Sequence, residues 1–192
     1  MAQDTKSILL VGVGGQGTIL ASKILSQGLL HFGFDVKMSE IHGMSQRGGS
    51  VTTHVRFGKK VDSPIISKGS ADILVAFEKV EAARYLDFLK RDGKLIVNNY
   101  EIYSLPVITG VASYPEDVTD KLKTIVNDTK VFNAFELADK LGNSKAQNIV
   151  LLGALVAGIG LAELDWNSVL EELIPEKMLD LNKKAFELGL ML

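Results

Sequence analysis

Two stretches of the chain concentrate the residue types that do chemistry. The first, Gly12-Val13-Gly14-Gly15-Gln16-Gly17, has G-x-G-x-x-G spacing and lies between an apolar run, Ser7 to Val11, and an amphipathic one, Thr18 to His31. In that setting the first glycine permits a tight turn and the second lets backbone come close to a phosphate. The third lets the next helix pack on the strand with its N-terminal N–H groups facing an anion. An acidic residue at the end of the second strand, Glu40, follows Gly17 by 23 residues and suits the hydroxyls of a ribose. The spacing leaves two readings open. Either a nucleotide or other anion sits at the loop, or the glycines permit a tight crossover whose mouth faces another protein chain.

The second stretch is Glu40-Ile41-His42-Gly43-Met44-Ser45-Gln46-Arg47-Gly48-Gly49-Ser50. It follows the second strand and so falls at the carboxyl edge of the sheet, where open α/β sheets bind ligands. Arg47, next to glycines, can offer a two-pronged donor to a phosphate or carboxylate. His42 can carry a proton or donate a hydrogen bond. An apolar Met44 beside the Gly48-Gly49 pair points to ligand or partner contact rather than a solvated connection. The candidate cleft therefore comprises Gly12, Gly14, Gly15, Gln16, Gly17, Glu40, His42, Met44, Ser45, Gln46, Arg47, Gly48 and Gly49. No residue is assigned a catalytic role.

The remaining candidates are weaker. His31, His42 and His54 lack metal-ligand spacing, so no metal site is expected. His54 alternates with apolar neighbours on a strand and suits a packing role. Arg56 either joins Arg47 in a cationic cluster or solvates the sheet edge. Asn98-Asn99 lies at another carboxyl edge, where its amides suit either a ligand or a turn.

Elements that position these residues can be read from periodicity. Strands are expected at Ser7–Val11, Asp35–Glu40, Val51–Phe57, Ala71–Phe77, Leu95–Asn98 and Thr129–Asn133. Helices are expected at Thr18–His31, Lys79–Leu89, about 115–127, Ala134–Leu141, 144–159, Trp166–Leu173 and 175–189, with 101–116 a hairpin or meander. Alternating strands and helices imply a Rossmann-like α/β fold, a mostly parallel sheet flanked by helices, with a C-terminal helical layer over 143–190. Gly153, Ala154, Ala157, Gly158 and Gly160 would let another backbone approach closely, and an exposed apolar face is expected near Ile149 to Ile159.

Composition bounds the rest. The chain has 192 residues, fitting a single domain over 1–192, with 46% hydrophobic and 23% charged residues. A net charge of −2 gives no reason to expect nucleic acid as a partner. With no cysteine, the chain has neither disulfides nor thiolates to hold an iron–sulfur cluster. The N-terminus lacks the layout of a signal peptide. The longest apolar stretch, Ile149 to Ala162, falls short of the roughly 20 residues that span a bilayer. A cytoplasmic protein without membrane contact is the expectation.

The glycine loop, the run Ser39 to Val51 and the following His54-Val55-Arg56 together resemble the indolepyruvate:ferredoxin oxidoreductase branch of the 2-oxoacid:ferredoxin oxidoreductases. The resemblance is to the small subunit, or γ domain, and reaches the Asn182 to Gly189 ending. It implies an enzyme that decarboxylates an aryl pyruvate oxidatively, forms an acyl-CoA and passes electrons to ferredoxin. This chain would be a subunit inactive by itself, holding no cofactor alone. Thiamine diphosphate and iron–sulfur clusters would reside in a large partner subunit, with CoA as co-substrate of the complex. Two rival readings are an independent NAD(P)-dependent oxidoreductase, with Glu40 on the ribose, and a nucleotide- or CoA-binding regulatory module.

Overall fold

A computed structural model describes residues 5–43 and 48–192. Six strands form its sheet: β1 (Lys6–Val13), β2 (Asp35–His42), β3 (Ser50–Gly58), β4 (Ala71–Ala76), β5 (Leu89–Asn98) and β6 (Thr129–Phe132). Eight α-helices accompany them: α1 (Thr18–His31), α2 (Lys79–Arg84), α3 (Leu105–Ile108), α4 (Val118–Ile125), α5 (Ala134–Lys140), α6 (Gln147–Gly158), α7 (Trp166–Leu173) and α8 (Glu176–Leu190).

The spatial order is β2-β3-β1-β4-β5-β6. β1, β4, β5 and β6 pair in parallel, as expected of strands joined through helices. β3 departs from the parallel pattern, running antiparallel to both β1 and β2. The connection Gly43 to Gly49 is too short to carry a crossover helix, so the chain turns back and inserts β3 between β2 and β1. Ile8, Leu9, Leu10 and Val11 are fully buried, because β1 is covered on both faces.

The face bearing Leu10, Val55, Val75 and Ile96 packs against α1, α6, α7 and α8. The opposite face, with Leu9, Leu74 and Leu95, packs against α2 and α4. α6 is apolar all round and is buried from Asn148 to Val156. Its small residues serve a crossing within the chain. A Cβ on Gly153 would lie 2.2 Å from the Phe186 carbonyl oxygen, and one on Gly189 would lie 2.1 Å from that of Val150. The apolar face expected to be exposed near Ile149 is therefore core, with Ile149 to Val156 closed over by α8.

The middle of the chain departs furthest from expectation. α2 ends at Arg84 and β5 begins at Leu89, because Asp92-Gly93, read as a turn, lies in an irregularity where Leu89 pairs with Ala71 and Lys94 with Ile73. Residues 101–116 hold the short α3 in place of a hairpin, and the helix expected from about 115 starts at Val118.

Candidate functional site

Strand order sets where a crevice can form. The chain leaves β1 through α1 toward β2 on one side, and leaves β4 toward β5 on the other, so the switch point lies between the carboxyl ends of β1 and β4. The glycine loop follows β1 there, and Glu78 to Glu81 follow β4.

Gln16 spans the switch point. Its Oε1 accepts the Val13 N–H at 2.8 Å, its Nε2 donates to the Phe77 carbonyl at 2.7 Å, and the residue is 6% exposed. Neighbouring atoms explain two of the loop's glycines. A Cβ on Gly12 would sit 2.9 Å from the Phe77 Cβ, while Gly17, at φ 79°, has Asn148 Nδ2 2.7 Å from where its Cβ would be. Asn148 also donates to the Gly17 carbonyl. The loop is thus built to join β1, β4 and α6. The second loop meets it through a hydrogen bond from Gly14 N–H to the Gly49 carbonyl at 2.9 Å.

Two hollows flank this junction. One, of about 610 Å³, lies beside the first turn of α1 and is lined by Gly14, Gly15, Gly17, Ile19, Leu20 and Val51 with Lys23 and His42. Gly17 caps α1 without a side chain, so a positive helix pole faces the same region. The other, of about 260 Å³, lies at the switch point, between Val13, Gly48 and Ser50 on one side and Ile102, Ser104 and Val107 on the other. Its charged lining residues are Glu78, Glu81 and Arg84. Glu78 and Glu81 are 1% and 4% exposed.

Both carboxyl groups are fully engaged. Glu78 caps α2 by accepting the Glu81 N–H at 2.9 Å, and it also accepts the Tyr114 hydroxyl and the Ile102 N–H. Glu81 accepts Arg84 Nε at 2.9 Å and the Ser50 hydroxyl, which lies 3.1 Å from the Tyr85 hydroxyl. Burial and then the Glu78 carboxyl beside it push the Tyr114 phenol far above its ordinary range. Glu78, Glu81 and Tyr114 were missed in the sequence, although two acidic residues directly after a buried strand were a usable signal.

The predicted residues divide into three groups. Gly12, Gly14, Gly15, Gln16, Gly17, His42, Gly48 and Gly49 converge on the junction. Met44, Ser45, Gln46 and Arg47 lie outside the described residues. Glu40 stands apart. It pairs with Thr53, which in turn pairs with Leu10, so two strand spacings, about 10 Å, separate it from β1. Its register also sets it on the α1 face below the loop, with Oε1 buried and unpartnered among the described residues. A carboxylate reading a ribose beside the loop needs a β2 adjacent to β1, and β3 occupies that place.

Other candidates resolve as structure. His54 Nδ1 accepts the Ile66 N–H at 3.0 Å, and burial holds its pKa below the ordinary value. Arg56 binds the Ser7 hydroxyl and the Ser63 carbonyl, far from the cleft. Asn98 donates to the Phe77 carbonyl and Gln147 and accepts from Ala134 N–H, tying β4, β5, α5 and α6 together.

The sequence profile described as pyruvate ferredoxin/flavodoxin oxidoreductase matches residues 7–192. The chain belongs to this family. It is 40% identical over 190 residues to indolepyruvate oxidoreductase subunit IorB of Thermococcus kodakarensis, covering 95% of this chain and 93% of that one. It is 39% identical over 190 residues to the IorB subunit of Pyrococcus horikoshii, covering 95% and 93%. The solved keto/oxoacid ferredoxin oxidoreductase gamma subunit from Geobacter sulfurreducens PCA aligns with a TM-score of 0.72 at 27% identity, over 97% of this chain and 96% of that one.

Gln16 fills the space beneath the loop, and the adjoining crevice is lined by the buried Glu78 and Glu81, with Arg84 paired to Glu81. The chain has no cysteine to hold an iron–sulfur cluster. Among the described residues no helix is long and apolar enough to cross a membrane, and no group of three His, Asp or Glu side chains is placed to hold a metal.

Proposed function

We propose that this chain is the cluster-free small subunit of an indolepyruvate-type 2-oxoacid:ferredoxin oxidoreductase, with residues 1–192 acting as one γ-type unit. The complex decarboxylates an aryl 2-oxoacid oxidatively, conjugates the acyl group to CoA and passes two electrons to ferredoxin. Thiamine diphosphate and the iron–sulfur clusters belong to a large partner subunit, and the assembly is cytoplasmic. The observation that carries this reading is the similarity to IorB subunits along nearly the full length of both chains.

In the complex, the paired loops form one wall of a cleft that the partner completes. Ile19, Leu20 and Val51 supply an apolar body beside the glycine loop, and Lys23, His42 and the open end of α1 supply a positive pole. That combination suits a ligand with an aromatic or acyl part and an anionic end. Gln16 keeps the wall rigid by bonding β1 to β4.

The test is co-expression with the large subunit encoded by the same organism. Ferredoxin reduction that depends on indolepyruvate and CoA is expected from the complex and not from this chain alone. Micromolar NAD(H) binding and substrate reduction by the isolated chain would sink the proposal.

A further inference from the structure

The segment from Glu101 to Tyr114 combines two properties that rarely occur together in a surface loop. It is strongly apolar and exposed: Tyr103 is 52%, Leu105 72%, Ile108 68% and Val111 83% exposed. It is also fastened at both ends. The Ile102 N–H and the Tyr114 hydroxyl, twelve positions apart, both bond Oε1 of the buried Glu78. Lys79 pairs with Glu101, lies 5.5 Å from the centre of the Tyr114 ring, and donates its backbone N–H to the Tyr100 carbonyl at 3.2 Å. The Tyr103 and Tyr114 rings lie 5.3 Å apart. Between these anchors, α3 and the Gly110 turn present Leu105, Ile108 and Val111 outward.

Exposing several large apolar side chains is unfavourable in water, and holding them in one shape adds an entropic cost. Such an arrangement is useful when a partner covers it, because the ordering cost is then already met before association. Charge narrows the choice of partner. Glu101 is paired with Lys79 and Asp120 lies 3.9 Å from Lys123, which leaves Glu116 and Asp117 as the acidic groups beside the segment without an ion-pair partner among the described residues; residues 102–115 themselves carry no charge. The segment is continuous with the cleft, since Ile102, Ser104 and Val107 form the far wall of the hollow bounded by Val13, Gly48 and Ser50.

We propose that residues 102–111 are the docking element for the large subunit of the oxidoreductase, seated in an apolar hollow bordered by lysine and arginine side chains. The inference rests on the reading of this chain as a subunit of that enzyme. Glu78 is the clamp that sets the element's shape, and docking there closes the switch-point crevice from outside. A second copy of this chain is a poorer occupant, because its own acidic border would face this one.

The experiment measures association of the co-expressed large subunit with wild-type chain, with Leu105→Asp/Ile108→Asp and with Glu116→Lys/Asp120→Lys, at low and at high salt. Met191→Asp, at an 81% exposed site near the C-terminus, serves as the reference. The double aspartate variant should weaken association about 30-fold or more at both salts, as loss of central interface anchors does. Its melting temperature alone should stay near that of wild type, because both sites are exposed. The lysine variant should weaken association at low salt, with the difference lost at high salt. Full association of the aspartate variant would overturn the docking element while leaving the subunit reading intact. Failure of wild type to associate would overturn both. Dimerisation of the isolated wild-type chain, abolished in the aspartate variant, would assign the surface to a second copy and overturn the proposed occupant.

Discussion

Replacing Gln16 by alanine tests whether the glycine loop is an internal brace or a ligand cradle. The substitution strips the Val13 N–H of its buried acceptor, a loss that costs about 1–3 kcal/mol. The Phe77 carbonyl loses its 2.7 Å donor but keeps Asn98 Nδ2 at 3.2 Å, so its share is smaller. Removing the methylene packing of a nearly buried side chain adds about 0.8 kcal/mol. Together these give about 3 kcal/mol, or a melting temperature lower by about 6–12 °C for a chain of this size. Urea unfolding of the isolated chain, followed by far-ultraviolet circular dichroism, measures the loss. Gln16→Glu keeps an acceptor for Val13 but sets an oxygen against the Phe77 carbonyl, so it should be at least as destabilising. A change below about 0.5 kcal/mol in the alanine variant would refute the brace and return Gln16 to the list of ligand contacts.

Two further outcomes follow from buried geometry. Gly153→Ala forces α6 away from the Phe186 carbonyl and should cost about 1–3 kcal/mol by overpacking, read as a lower calorimetric melting temperature; an unchanged melting temperature would contradict the close crossing. The His54 pKa lies below its ordinary 6.5 in the folded chain because the ring is buried, so the folded state favours the neutral form. Its contribution is therefore complete above about pH 6.5 and is lost as the pH falls below that value, where the unfolded chain takes up the proton first. The urea midpoint should drop between pH 7 and pH 5 in wild type and drop less in His54→Gln, whose amide oxygen can still accept the Ile66 N–H; equal drops would show that His54 is not responsible.

Local signals in the chain carried much of this architecture. Ser7 to Val11 reads as a buried strand because it is apolar without alternation, and β1 is covered on both faces. Thr18 to His31 reads as a helix from its spacing, and α1 has those bounds. Strand order is a different kind of information. Nothing in the alternation of Val51 to Phe57 says which neighbour the strand takes or which way it runs, and the brevity of the connection before it was the one available clue. The displaced Glu40 follows from that single insertion.

A similar limit applies to Ile149 to Val156. An all-round apolar helix fits either a core or an interface, and the deciding fact is Gly189, which meets Gly153 from 36 residues further on. The candidate cleft was legible as two loops that meet. What could not be read was Gln16 turning inward, or Glu78 and Glu81 lying under the crevice, because both depend on which strand ends come to adjoin.

The insertion of β3 also dictates an order of events during synthesis. Among the described residues β1 pairs only with β3 and β4, and β2 pairs only with β3. A nascent chain that has reached Gly49 therefore holds two strands and a helix with no sheet partner among them. Ile8 to Val11, a run that is fully buried in the finished molecule, must wait until Ser50 to Gly58 leaves the ribosome before it has a hydrogen-bonded neighbour. During that interval the run is the chain's main point of exposure to aggregation, and β3 is the segment whose arrival ends it.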